Sequence, residues 1–495
     1  MRVLIFHGYL LRGTGSNIYN ASLCRALAGL GHEVHLLCQD RDPPDVGGEI
    51  HVPDIGEVLP VYVADRYEGF RAVPYPDLSD AELQHYIDAN VEAVRELAER
   101  VKPDVALANH LIMGPAILAR GLGGAVPYAV KVHGSALEYT VKPHPERFLP
   151  YAREGLAGAS GVLVGSRHTA ESLWKALDDP DLPARTRLGP PGVDVEAFRP
   201  LEQAEAAEGL AELAQRLQGA EAASWGGDPG AAAELERLDP GRDRIVAFVG
   251  KLIVSKGVDL LLAAWPLVLA RVPEARLVIV GFGEYRDGLE RLAGALTSGD
   301  LDGAREVAAR GRELEGGPAG ELRQLAAFLD GLSGEERRDY LRAAPGLSES
   351  VGFTGRLEHE DLPGLLPASE ALVMPSTFPE AFGMVAAEAA ACGALPLSAA
   401  HSGMAEVTAT LTPALDEDLR PLMSFELGPG AVEEIASKLT RWLELEPARR
   451  ARAGAALAEL ARRRYGWESV AEGVIAAALG RLDDLPEPPD IVPAP

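Results

Sequence analysis

Two glutamates, Glu380 and Glu388, stand eight residues apart in "PSTFPEAFGMVAAEAAACG" (375–393), on either side of a Phe382-Gly383 step. Glu380 precedes a helix start. Glu388 falls inside the apolar run "MVAAEAAA", where a charge needs a partner. Phe382, Gly383, Met384 and Val385 open the helix with backbone N–H groups that no helical carbonyl can satisfy, and the small Gly383 lets a ligand approach them. Upstream, "FVGKLIVSKG" places Lys251 and Lys256 just past a strand. Two cations there could neutralise a diphosphate without a metal. "KVHGS" puts His133 after another strand, and "LRGTGSN" puts Gly13 and Gly15 at the first strand-to-helix turn. Each feature has a plain structural reading as well: strand-end lysines in surface ion pairs, a satisfied core histidine, tight turns, one capping and one exposed glutamate. The company of Glu388 argues against the last. Along a continuous helix, eight residues span about 12 Å, close to the distance between the sugar and the ribose of one nucleotide-sugar.

These residues fall where parallel α/β sheets bind ligands, at the carboxyl ends of strands and the starts of helices. "RVLIF" (2–6), "EVHLLC" (33–38), "DVALAN", "YAVKVHG" and "GVLVGS" read as strands. Helices are expected over about 17–30, ended by Gly31, and from Asp80 to Val101, stopped by Pro103. A polar Pro/Gly-rich stretch covers 40–78. The alternation restarts after a turn-rich boundary, "GPPGVDVEAFRP" (189–200), and an Ala/Glu-rich segment (201–240) that reads as helical with a break at "SWGGDPG". "RIVAFVG", "ARLVIVG", "SVGFTG", "ALVMPS" and "ALPLS" supply the second set of strands. Residues 299–347 interrupt it as a charged helical insertion. The pattern is α/β, two Rossmann-like doubly wound domains. The expected boundaries are 1–195, a linker and insertion over 196–240, a second domain over 241–465, a helix over 466–483 that returns to the first domain, and a disordered Pro-rich tail over 484–495.

Bulk composition narrows the classes of function. The 495 residues carry a net charge of −27, which argues against nucleic-acid or anionic-membrane binding through bulk electrostatics. Only seven of the 47 basic residues are lysines, so a pair of them within six residues of each other stands out. The three cysteines are scattered, without metal-ligand spacing, and fit a reduced, cytoplasmic protein. No apolar run reaches the length of a membrane span, and "MRVLIFHGYLL" reads as a first strand rather than a signal peptide. The low-lysine, Ala/Arg/Gly-rich composition points to a bacterial source.

Together the segments resemble the family 4 retaining glycosyltransferases of GT-B fold. "LCRALAGLGHEVHLL", "KVHG", "VGSRHTAESL", "PPGVDVEAFRP", "FVGKLIVSKGVDLLLAAWPLV", "LVIVGFGE", "VGFTGRL" and the Glu-x7-Glu stretch follow the family pattern in order. The resemblance implies two facing Rossmann-like domains with a cleft between them. It implies that Glu380 and His133 lie near the donor sugar, that Lys256 and Lys251 grip the diphosphate, and that Phe382 to Val385 hold sugar hydroxyls and phosphate. Glu388 would accept hydrogen bonds from the ribose, its buried charge satisfied by ligand, and the Gly13–Gly15 loop would close over phosphate or acceptor. The substrate would be a UDP-, GDP- or ADP-linked sugar and the acceptor a sugar, polyol or glycolipid, with no metal and no other cofactor. Two features depart from the pattern: lysine rather than arginine at 251, which loses the bidentate fork, and "AHSGMAEV" (400–407) in place of a Gly-Gly-Ile-Pro-Glu-type run. Three rivals remain: a GT-B sugar-nucleotide epimerase, a non-catalytic nucleotide-sugar-binding protein, and an NAD-dependent enzyme using Asp40, whose "GTGSNI" loop lacks the third glycine of GxGxxG.

Overall fold

A computed structural model describes residues 1–12, 15–62, 70–219 and 227–488. The chain forms two compact units. The first is Met1–Gly192 together with the residues from Tyr465 onward, and the second is Val193–Arg464.

In the first unit the strands are β1 (Arg2–Phe6), β2 (Glu33–Leu37), β3 (Glu49–His51), β4 (Val58–Val61), β5 (Arg71–Pro74), β6 (Val105–Asn109), β7 (Tyr128–Val132), β8 (Gly161–Val164) and β9 (Thr186–Leu188). Seven of them form one parallel sheet in the order β3-β2-β1-β6-β7-β8-β9, and β4 and β5 form a separate parallel pair. Both faces of the sheet are covered, so β1 is apolar on both sides. Leu4 and Phe6 point into a core shared with Ile87, Val94 and Leu97. Val3 and Ile5 point into another, filled by Leu23 and Leu27 on one side and by Val474 and Ile475 of the helix Trp467–Ala478.

The helix Asp80–Val101 begins with a reciprocal Ser79–Glu82 capping box and ends at Lys102 in the left-handed region, one residue before Pro103. The first helix runs Gly15–Gly29, two residues earlier than its apolar periodicity indicates. The 40–78 stretch is not merely loop, since β3, β4 and β5 lie in it; all three are short, and their flanking Pro and Gly residues hide them. In the tail, the Leu188 N–H donates to the Pro486 carbonyl at 2.8 Å, and Arg167 donates to the Pro488 carbonyl at 3.1 Å. Residues 484–488 are therefore ordered against the first unit, and 489–495 lie outside the described residues.

The second unit contains β10 (Arg244–Val249), β11 (Ala275–Val280), β12 (Val351–Gly355), β13 (Ala371–Met374), β14 (Leu395–Ala399) and β15 (Ser424–Phe425). Their order is β12-β11-β10-β13-β14-β15, all parallel. The helix Val258–Leu269 after β10 is buried on nearly every side, which explains its all-round apolar sequence. The helix Met384–Ala391 between β13 and β14 is built mostly of alanine, so it can pack closely while carrying Glu388 inside. The insertion over 299–347 forms helices Leu301–Arg310, Arg323–Gly331 and Gly334–Ala343.

Candidate active site

In the second unit the ends of β10 and β13 are knitted together. The Thr377 N–H donates to the Ser255 carbonyl at 2.8 Å. Gly257, at φ +67°, lies so close to Pro375 that a Cβ would stand 2.0 Å from its carbonyl oxygen. Only glycine satisfies both demands. This seam brings Lys256 to Glu380: the Lys256 ammonium bonds Glu380 Oε1, and the Ser376 hydroxyl donates to the same oxygen at 2.7 Å. Lys251 is exposed, and among the described residues it has no ion-pair partner. Among the described residues, no side chain caps the start of the helix Met384–Ala391, whose N-cap is Gly383.

The segment "AHSGMAEV" seats this loop. The Glu380 N–H donates to Ser402 Oγ at 2.9 Å, and the Gly403 N–H donates to the Glu380 carbonyl at 2.9 Å. His401 Nε2 lies 2.8 Å from the Ser376 carbonyl. A Cβ on Gly403 would meet backbone atoms of Ala381 and Phe382 at 2.6–2.7 Å. Gly403→Ala must therefore displace the 380–383 loop, and we expect it to lower turnover on the order of tenfold without unfolding the chain. Steady-state kinetics alongside thermal melting will check this.

Glu388 is 1% exposed. Its partner, which sequence reasoning missed, is His359, whose Nε2 lies 2.7 Å from Glu388 Oε1. The protein itself thus satisfies part of the charge that the sequence reading left to a ligand. Burial disfavours the imidazolium, but the hydrogen bond and charge of Glu388, with Asp194 and Glu360 behind it, outweigh that and raise the His359 pKa. A reciprocal Glu358–Asp361 capping box holds the turn, and the Phe198 ring packs 5.2 Å from His359. The helix Gln203–Gly219 braces the same turn through Arg216 and Asp361, 3.2 Å apart. The later insertion also reaches the site: Glu315 Oε2 accepts the Val254 N–H at 2.7 Å, supporting the Lys251–Lys256 loop. The only sequence signal for His359 is its place just past the strand "VGFTG".

In the first unit, His133 follows β7, His7 follows β1 and His110 follows β6, three neighbouring strands. His133 Nε2 lies 2.9 Å from Asn109 Oδ1, and the Asn109 amide donates to Asn20 Oδ1 at 2.7 Å. Asn20 donates to His7 Nδ1 at 3.0 Å, while His7 Nε2 meets Asn17 Oδ1 at 2.9 Å. In this assignment the His133 proton sits on Nε2, leaving Nδ1 as an acceptor. His110 packs between His133 and Tyr62, with centroids at 4.9 and 4.7 Å, and neither of its ring nitrogens has a hydrogen-bond partner among the described residues. Gly15 begins the first helix, where a Cβ would meet no atom of the described residues within 4 Å, and Gly13 lies outside the described residues.

Burial lowers all three histidines, His7 to about 4 and His110 and His133 well below their ordinary value. The folded chain holds these rings neutral, whereas the unfolded chain protonates them near 6.5. Below that pH the unfolded state binds more protons, so stability falls as pH drops from about 7 to 4. His7 alone contributes about 3 kcal/mol of this loss. Urea melts across that range will show it.

Residues 13–197 match the family model for Glycosyltransferase Family 4, and residues 235–300 and 324–457 match that for glycosyl transferases group 1. The chain belongs to glycosyltransferase family 4. The gap at 301–323 falls within the insertion expected over 299–347. The D-inositol 3-phosphate glycosyltransferase of Frankia alni is 25% identical over 471 residues, 93% of each chain. A GDP-mannose-dependent phosphatidylinositol monomannoside mannosyltransferase of Corynebacterium glutamicum is 27% identical over 46% of this chain and 45% of its own. The Anabaena protein HepE, solved with UDP and glucose, shares the fold with a TM-score of 0.56 and 17% identity, over 97% of this chain and all of that one.

The protein is thus a glycosyltransferase of GT-B fold, with parallel sheets flanked by helices in each of its two units. Family membership displaces the NAD reading, and Asp40 is committed elsewhere: its carboxylate accepts the Leu11 N–H at 3.0 Å and the Asp42 N–H at 3.1 Å. Among the described residues, no helix of this family 4 glycosyltransferase is long and apolar enough to cross a membrane.

Proposed function

We propose that this glycosyltransferase moves a hexose from a UDP-, GDP- or ADP-linked donor to the hydroxyl of a sugar, polyol or glycolipid, with retention at the anomeric carbon. The observation that carries this reading is the Lys256 ammonium, anchored by Glu380 beside Lys251 and the helix start at Gly383, which among the described residues have no ion-pair partner and no side-chain cap, respectively. An ammonium has three donors, so Lys256 can keep Glu380 and still reach phosphate oxygens.

As the bond between the anomeric carbon and the diphosphate oxygen breaks, negative charge builds on the leaving group. Lys256, Lys251 and the N–H groups of Met384 and Val385 stabilise that charge in place, without a metal. Glu380, already bonded to Lys256 and Ser376, orients the sugar. The acceptor oxygen forms the new bond on the face the diphosphate leaves, and the departing phosphate oxygen takes its proton. Glu388, with one oxygen on His359, offers its remaining lone pairs to the ribose hydroxyls. His133, held neutral, presents Nδ1 to a sugar or acceptor hydroxyl, a role taken from the family resemblance.

The named relatives support a hexose donor and a polyol-type acceptor: one acts on D-inositol 3-phosphate, another depends on GDP-mannose. Proton NMR of the first-formed product tests the stereochemistry. The anomer matching the donor is expected, and the opposite anomer would refute retention.

A further inference from the structure

The sequence repeats a short pattern on neighbouring strands. β2 begins Glu33-Val34-His35, and β3 is Glu49-Ile50-His51. The strands are parallel, with His35 opposite Glu49 and Leu37 opposite His51. Side chains alternate between faces along a strand, so Val34 and Ile50 enter one core while Glu33, His35, Glu49 and His51 all share the other face. Four side chains able to bind a metal therefore cluster at the sheet edge.

The distances are those of a ligand set. His35 Nδ1 lies 3.2 Å from His51 Nε2 and 3.4 Å from Glu49 Oε2, and His51 Nε2 lies 3.7 Å from Glu49 Oε1. The ligand atoms of the three residues all lie within 4.8 Å of one another. A tetrahedral zinc ion with bonds of about 2.0–2.2 Å separates its ligands by about 3.3–3.6 Å. Glu33 Oε1 stands 3.0 Å from His35 Nε2 and fixes the proton there, which turns the Nδ1 lone pair toward His51. A carboxylate behind a histidine in this way is the usual outer support of a metal ligand. Without a metal, the 3.2 Å contact is explained by a proton on His51 Nε2, with Arg100 3.4 Å from His51 Nδ1. Arg100 is exposed and free to turn away when that proton moves.

We propose that His35, His51 and Glu49 form a zinc-type site, completed by water, that clamps the three-residue edge strand β3 to β2. Imidazole and carboxylate ligands suit zinc, cobalt or nickel rather than magnesium. The site is separate from the sugar-transfer chemistry, for which no metal is proposed.

The test uses the full, tag-free chain stripped with EDTA. Titration with Zn2+ by calorimetry, and with Co2+ by visible absorption, should find one equivalent per chain, and Zn2+ should raise the melting temperature. His51→Ala and Glu49→Ala alter partly exposed side chains and should fold normally. Each should weaken binding at least tenfold and abolish the zinc-dependent rise in melting temperature. No binding by the parent chain, or one equivalent kept at unchanged affinity by both variants, would overturn the proposal.

Discussion

Replacing Lys256 with alanine lowers turnover of the nucleotide-sugar donor by about 10²–10³, the effect of removing one preorganised donor from a charge-stabilising site, about 3–4 kcal/mol. The residue stands at the end of β10 with its ammonium on Glu380 Oε1, and the Gly257–Pro375 and Thr377–Ser255 contacts fix its loop. Both partners of the pair are partly exposed, at 24% and 21%, so its loss costs little stability. The melting temperature should hardly move while the rate collapses. Lys256→Arg keeps the charge, and partial recovery in that variant would separate charge stabilisation from shape. An alanine variant with an unchanged rate would remove Lys256 from the mechanism.

Glu388→Ala has the second large effect, on binding rather than on chemistry. A buried carboxylate that accepts hydroxyl hydrogen bonds contributes about 1.5–3 kcal/mol, so nucleotide affinity should weaken about 10–10²-fold. The variant leaves His359, which is 34% exposed and can turn to water. His359→Ala is the informative companion, because it strips Glu388 of its protein partner inside the fold. That variant should melt earlier than the parent and regain more stability from saturating nucleotide, whose ribose would then be the carboxylate's main partner. Calorimetry with UDP, GDP and ADP measures the first effect and thermal melting the second. Equal nucleotide affinity in the parent and Glu388→Ala would end the ribose assignment.

The βα rhythm, the positions of Lys251 and Lys256 in the loop after β10, and those of Glu380 and Glu388 before and inside the helix after β13 were legible because periodicity and turn residues are local signals. The partners were not. His359 comes from the turn after β12 and meets Glu388 only through the fold, 29 residues away. The Lys256–Glu380 pair joins residues 124 apart, so the sequence could place each near a ligand but not against the other. Ser402 and Gly403 looked like a departure from the family pattern, yet their backbone and hydroxyl groups hold the Glu380 loop. The same limit applies to Glu315, whose contact with Val254 gives the insertion a link to the lysine loop that no motif announces. Strands β3, β4 and β5 escaped notice because three or four residues carry too little alternation to stand out in a Pro/Gly-rich stretch.

The most direct test of the central claim is donor turnover without acceptor, read as free nucleoside diphosphate from UDP-glucose, UDP-N-acetylglucosamine, GDP-mannose and ADP-glucose, for the parent chain and for Lys256→Ala and Glu388→Ala. Slow release from one donor by the parent, lost in both variants, is the predicted result. Release that both variants retain, or silence across the panel with no thermal stabilisation by any nucleotide, would contradict the assignment of the Lys256–Glu380–Glu388 constellation as the donor site.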